Sequence, residues 1–179
     1  GLLSEKLTSL NPNMAAATVD YLKKLNLNKG DYVAIGLTGS NPGLNLALYA
    51  ALETLEIKPV IITMVGSGGF GANRPEFTWL DMEKILYDNE MISFKSMYAS
   101  IGGGRDVGRG LSPTGRELIL EAIERTGNIL LDEKLMEENL KKRMRFYNES
   151  LPVDSQYKAF VNIGGGIANI GNFVNAKLI

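Results

Sequence analysis

The residues whose types and spacing point to chemistry are a few arginines and hydroxyls set among glycines. The segment Gly102-Gly103-Gly104-Arg105-Asp106-Val107-Gly108-Arg109-Gly110 puts two arginines into a nonapeptide with five glycines, a flexible and locally positive loop. Ser112-Pro113 follows and starts a helix, whose N-terminal end adds its own partial positive charge. Gly104, Arg105 and Arg109 are therefore candidates for holding an acidic ligand, because Arg grips a carboxylate through two parallel hydrogen bonds. Asp106 would orient one arginine, or serve as a base or oxygen ligand if there is catalysis. A surface loop with a structural Arg–Asp pair is the plainer alternative.

Three further glycine turns each follow an apolar run. Thr38-Gly39-Ser40-Asn41 joins one such run to a helix starting at Pro42, and the free N–H groups of that helix attract carboxylate or phosphate. Thr38 and Ser40 would add hydroxyl donors; alternatively Asn41 is a simple helix cap and the glycines only permit a tight turn. Ser40 is a weak nucleophile candidate, since glycines are missing from the elbow positions and no histidine exists to activate it. Gly66-Ser67-Gly68-Gly69-Phe70-Gly71 matches G-x-G-x-x-G, but Ala72–Phe77 intervene before the next helix, so the dinucleotide reading fails. That long loop carries Asn73, Arg74 and Glu76 and reads as a lid or wall, with Glu76 a further weak catalytic candidate and Phe77 and Trp79 filling the core. Gly164-Gly165-Gly166, with Asn162, Asn169 and Asn172, either approaches a ligand or merely returns the chain sharply.

Composition removes whole classes of function. The 179 residues include neither His nor Cys, which excludes Ser-His-Asp triads, thiolate nucleophiles, disulfides and the usual zinc sites. No metal site and no cofactor are expected. Lys and Arg total 19 against 20 Asp and Glu, so no long-range basic field favours nucleic acid. No Walker A sequence occurs. No apolar run approaches the roughly 20 residues that span a bilayer. The chain starts on Gly1 rather than Met and reads as a soluble fragment of a longer protein, with residues 1–179 forming a single α/β domain.

The elements that must position these turns alternate. Tyr32–Ile35, Val60–Val65, Met97–Ile101 and Phe160–Ile163 read as strands covered on both faces, with a short strand also possible at Asn128–Leu131. Asn11-Pro12, Asn41-Pro42 and Ser112-Pro113 predict three helix starts, and Thr78 with Asp81 a capping box for a fourth helix over Thr78–Glu90. Gly30 is predicted to end the first of these helices and Gly127 the one that starts at Ser112-Pro113. A last helix, Asp132–Glu149, reads as packing Met136, Leu140, Met144 and Tyr147 on the core and presenting Lys141, Lys142, Arg143 and Arg145 to solvent. Alternation of strand and helix requires right-handed crossovers. The expected fold is a Rossmann-like three-layer sandwich with a mostly parallel sheet, whose glycine turns gather along one edge.

Four blocks carry a family resemblance: Val33–Ser40 with Pro42, Gly71–Glu83, Gly102-Gly103-Gly104 through Gly110–Pro113, and Val161–Gly166. Over about Asn11–Gly171 the chain resembles the bacterial poly-γ-glutamate system proteins, accessory proteins of poly-γ-glutamate synthesis and export. The resemblance implies a cell-envelope location, on the extracytoplasmic side through an N-terminal membrane anchor absent from this chain. It implies glutamate, poly-γ-glutamate or membrane synthase and export subunits as partners. It supplies no established catalytic residues. The expectation is an accessory, carboxylate-binding component; the alternative is a hydrolase or transferase acting on the same polymer.

Overall fold

The computed structural model describes residues 2–171. In chain order its elements are α1 (Leu3–Ser9), α2 (Asn13–Lys24), β1 (Tyr32–Thr38), α3 (Pro42–Leu55), β2 (Lys58–Met64), β3 (Asn73–Arg74), β4 (Phe77–Thr78), α4 (Trp79–Asp88), β5 (Tyr98–Ser100), α5 (Pro113–Arg125), β6 (Ile129–Leu131), α6 (Met136–Glu149), β7 (Tyr157–Asn162) and α7 (Ile167–Ile170). Five strands form one parallel sheet in the order β6-β5-β2-β1-β7, and β3 and β4 make a separate antiparallel ribbon. Helices lie on both faces of the sheet. The fold is α/β and Rossmann-like, in three layers.

The strand order explains the layering. From β1 through β2 and β5 to β6 the chain steps steadily toward one edge, so right-handed crossovers put α3, α4 and α5 on one face. The next crossover reverses direction and carries β7 to the far side of β1, which puts α6 on the opposite face. Two apolar clusters match this division. Val33, Ile35, Leu37, Ile61 and Ala99 pack under Leu48, Leu52, Trp79, Leu80 and Ile123, whereas Ala34, Val60, Ile62, Tyr98 and Leu131 pack under Phe146 and Tyr147.

Helix starts follow the local chemistry closely. Asn11 Oδ1 accepts from Asn13 N at 2.9 Å and Ser112 Oγ accepts from Gly115 N at 3.0 Å. Asp81 Oδ2 accepts from Thr78 N at 2.6 Å and from its hydroxyl at 2.7 Å. Gly127 (φ 73°) follows α5 as a left-handed terminator.

Several expectations are corrected. Gly30 (φ 84°) lies well past Lys24, where α2 ends, and turns the chain into β1. The last helix begins at Met136, not Asp132. β7 is an edge strand with Phe160 half exposed, not a strand covered on both faces. On α6 the buried face is Asn139, Arg143, Phe146 and Tyr147, while Leu140 and Met144 are exposed. Trp79 is fully buried as expected, but Phe77 is 39 % exposed. α1 and the β3–β4 ribbon carried no periodicity long enough to be read.

A buried polar cluster lies on the α3–α5 face. Glu83, 1 % exposed, accepts from the Tyr49 hydroxyl and from Ser96 Oγ at 2.8 Å, and Ser96 shares a hydrogen bond of 2.7 Å with Thr63. Burial holds the Glu83 carboxyl above its ordinary value, against the opposing pull of those donors. Burial, with the Glu83 charge behind it, raises the Tyr49 phenol.

Candidate functional site

At the C-terminal ends of the strands, all four glycine turns line one cavity of about 450 Å³. Thr38 and Ser40 come from the end of β1, Gly66, Ser67 and Gly68 from β2, Gly103, Gly104 and Arg105 from β5, and Gly165, Gly166 and Ile167 from β7. The strand order reverses at β1 and β7, and open α/β sheets bind their ligands in the crevice at such a reversal. Two observations mark it as more than a dent between loops. Arg105 is the one charged residue lining the cavity, and among the described residues its guanidinium has no ion-pair or hydrogen-bond partner. Thr38, 5 % exposed, has a buried hydroxyl with no hydrogen-bond partner among the described residues. Met64, Leu111 and Ile167 supply apolar wall.

Beneath Arg105 lies a buried ion pair. Asp106 and Arg143, with side chains 0 % and 3 % exposed, meet at 2.6 Å between Oδ2 and Nη2. Ser100 donates to Asp106 Oδ1 at 2.7 Å and Asn139 Nδ2 to Oδ2 at 3.0 Å. The remaining guanidinium N–H groups reach Ser100 Oγ (2.7 Å), Asn139 Oδ1 (2.8 Å) and Asn169 Oδ1 (3.4 Å). Asn169 Nδ2 in turn donates to Asn162 Oδ1 at 2.8 Å. One guanidinium thus ties α6 to the walls contributed by the third and fourth turns. Arg105 (φ 57°) and Asp106 (φ 63°) are successive non-glycine residues in the left-handed region, a costly conformation that the buried pair holds in place. Gly36 makes room for the cluster, since a Cβ there would lie 2.0 Å from Asn169 Nδ2.

No family model matches the chain, and no curated protein matches it. Among solved structures it is similar to a chain described as "Complex structure of VinN with L-aspartate", at 6 % identity and a TM-score of 0.25. The match covers 89 % of this chain and 34 % of that one, so this chain spans about a third of its length. At that score the likeness supports neither a fold nor a function.

The geometry sorts the candidate residues. Thr38, Ser40, Gly104 and Arg105 line the cavity. Gly39 does not; it packs against β2, where a Cβ would lie 2.4 Å from the Val65 carbonyl oxygen. Asn41 does not cap α3 with its side chain, because Lys6 Nζ takes Asn41 Oδ1 and also donates to Ser40 O at 2.6 Å. Arg109 is exposed and outside the lining. Asn73 and Arg74 line a smaller neighbouring niche. Of the three catalytic candidates, Glu76 is exposed and pairs with Arg74 at 3.0 Å, and Asp106 is consumed by Arg143. Only Ser40 faces the cavity, its Oγ accepting from Gly68 N at 3.3 Å. Among the described residues no carboxylate lines the cavity to take its proton. Asn172 lies outside the described residues.

Arg143 and Lys6 escaped sequence reasoning. Arg143 sits in a run of four basic residues that reads as a solvated face, yet it is buried. The usable signal was Asn139, four residues earlier, which puts two polar side chains on one helical stripe. Nothing local to Lys6 ties it to a turn that lies more than thirty residues away.

Proposed function

We propose that this chain is an accessory component of a poly-γ-glutamate synthesis or export system, binding a carboxylate-bearing ligand in the cavity formed by the glycine turns. The observation that carries the reading is the convergence of all four turns on one cavity that, among the described residues, holds a single unpaired cation, Arg105. A carboxylate there would accept from the guanidinium, and the unpartnered Thr38 hydroxyl and those of Ser40 and Ser67 lie in the same walls. The four blocks that resemble the poly-γ-glutamate proteins supply Thr38, Ser40, Gly103, Gly104, Leu111, Gly165 and Gly166 around the cavity, and the β3–β4 ribbon beside it. The same resemblance supports an envelope location and partnership with membrane synthase or export subunits.

A hydrolase or transferase acting on the polymer has less support. Asp106 and Glu76 are both engaged by arginines, and Ser40 lacks a neighbouring base.

Titration calorimetry at low salt with glutamate and γ-linked glutamate oligomers tests the binding reading. Binding is expected, weakened about ten- to a hundredfold by Arg105→Ala, as loss of a charge-assisted hydrogen bond of about 1.5–3 kcal/mol requires. Absence of both heat and a melting shift at millimolar ligand would refute it.

A further inference from the structure

We infer that the cavity is one of two adjoining subsites, and that the bound molecule is an extended chain bearing carboxylates at successive units across aliphatic spacers. The inference rests on reading the Arg105 cavity as a carboxylate site. Gly66, Ser67 and Leu111 line both that cavity and a niche of about 120 Å³, so the two share a wall. The floor of the niche is apolar, made by Val65, Ala72, Leu118 and Ile119, while Asn73 and Arg74 stand at its edge. Among the described residues, Arg74 is the one charged residue lining the niche. A short aliphatic segment fits such a floor, and a carboxylate suits the guanidinium beside it.

Arg74 is available for this role. Its side chain is 76 % exposed, and Glu76 engages only Nε, leaving both terminal nitrogens without a partner among the described residues. The hairpin that carries it is anchored: Arg125 Nη2 donates to the Pro75 carbonyl at 2.5 Å, while Nε and Nη2 grip the two oxygens of Asp81 at 2.8 and 2.7 Å. That clamp joins the β3–β4 ribbon to α5, which itself lines the niche through Gly115, Leu118 and Ile119. A single small acid held by Arg105 leaves Arg74 without a carboxylate. A linked pair satisfies both, and the second contact then forms at the high effective concentration set by the linker.

Calorimetry with free glutamate and with γ-linked di-, tri- and pentaglutamate, on the wild-type chain and on Arg74→Ala and Arg105→Ala, tests the inference. Affinity is expected to rise about tenfold or more from the monomer to the longer oligomers. Arg74→Ala should abolish that gain and leave monomer binding unchanged, whereas Arg105→Ala should weaken every ligand. Arg74 is solvated, so its truncation leaves the melting curve in place. Affinity independent of length but sensitive to Arg105 overturns the second subsite and spares the carboxylate reading. An oligomer gain that survives Arg74→Ala likewise overturns the subsite. No binding of any ligand overturns both.

Discussion

Replacing Arg143 by Met should remove the support beneath the cavity while changing none of the residues that line it. Met preserves most of the buried stem and removes the guanidinium, so the effect comes from charge and hydrogen bonding, with little from lost volume. Asp106 would be left as a carboxylate with a side chain 0 % exposed, holding only the Ser100 and Asn139 donors. Breaking a buried pair from one side costs about 3–5 kcal/mol. A domain of this size has about 5–15 kcal/mol of stability in total, so the variant loses a large share of it. Asp106→Asn added to Arg143→Met removes the stranded charge, and Asn tolerates the left-handed φ of 63°. The double variant should recover about 2 kcal/mol relative to Arg143→Met alone. Urea unfolding followed by the fluorescence of Trp79, the single tryptophan and fully buried, measures all three proteins. A cost below about 1 kcal/mol for Arg143→Met, or a double variant less stable than that single one, would refute the assigned role of the pair.

Three further outcomes are expected. Gly68→Leu should leave stability within about 0.5 kcal/mol and weaken ligand binding at least about tenfold, because Gly68 lines the cavity and a Cβ there meets nothing within 4 Å. Gly39→Ala, whose Cβ would collide with the Val65 backbone, should instead lose stability in urea unfolding. For Glu83, burial raises the folded-state pKa above the ordinary 4.5, so the folded chain binds the proton more tightly than the unfolded chain. Stability should therefore fall as pH rises above about 4.5 through the folded value, and Glu83→Gln should flatten that slope. A wild-type profile parallel to that of Glu83→Gln would contradict this assignment.

The sheet and the place of the cavity were legible in the sequence because both depend on local signals. Continuous apolar runs, proline after a capping side chain and glycine after four of the five sheet strands mark where strands end and helices begin. Asn41 shows the limit: its type and position promise a cap, but a lysine from α1 takes its oxygen. The apolar stripe of α6 misled for a related reason. Helical spacing identifies a stripe, but which stripe faces the sheet depends on what lies opposite, and opposite Arg143 lies the carboxylate of Asp106. Likewise, Phe160 has the composition of a covered strand and becomes an edge residue only through the order in which strands pair. Pairings across long stretches of chain decided each of these outcomes, and no local pattern encodes them.

The placement of β7 also bears on the order of folding. The cavity's fourth wall belongs to a strand that pairs with β1 in the register Tyr32↔Tyr157, joining segments far apart in sequence. During synthesis the first three walls can form while β1 still has a free edge. Gly165 and Gly166 close the cavity only once the chain has been made through β7. Long-range parallel pairing of this kind forms slowly. Binding in the full four-walled cavity therefore waits on the pairing of β7 with β1, and a ligand spanning the β1 and β7 turns would act as a clasp on that pairing.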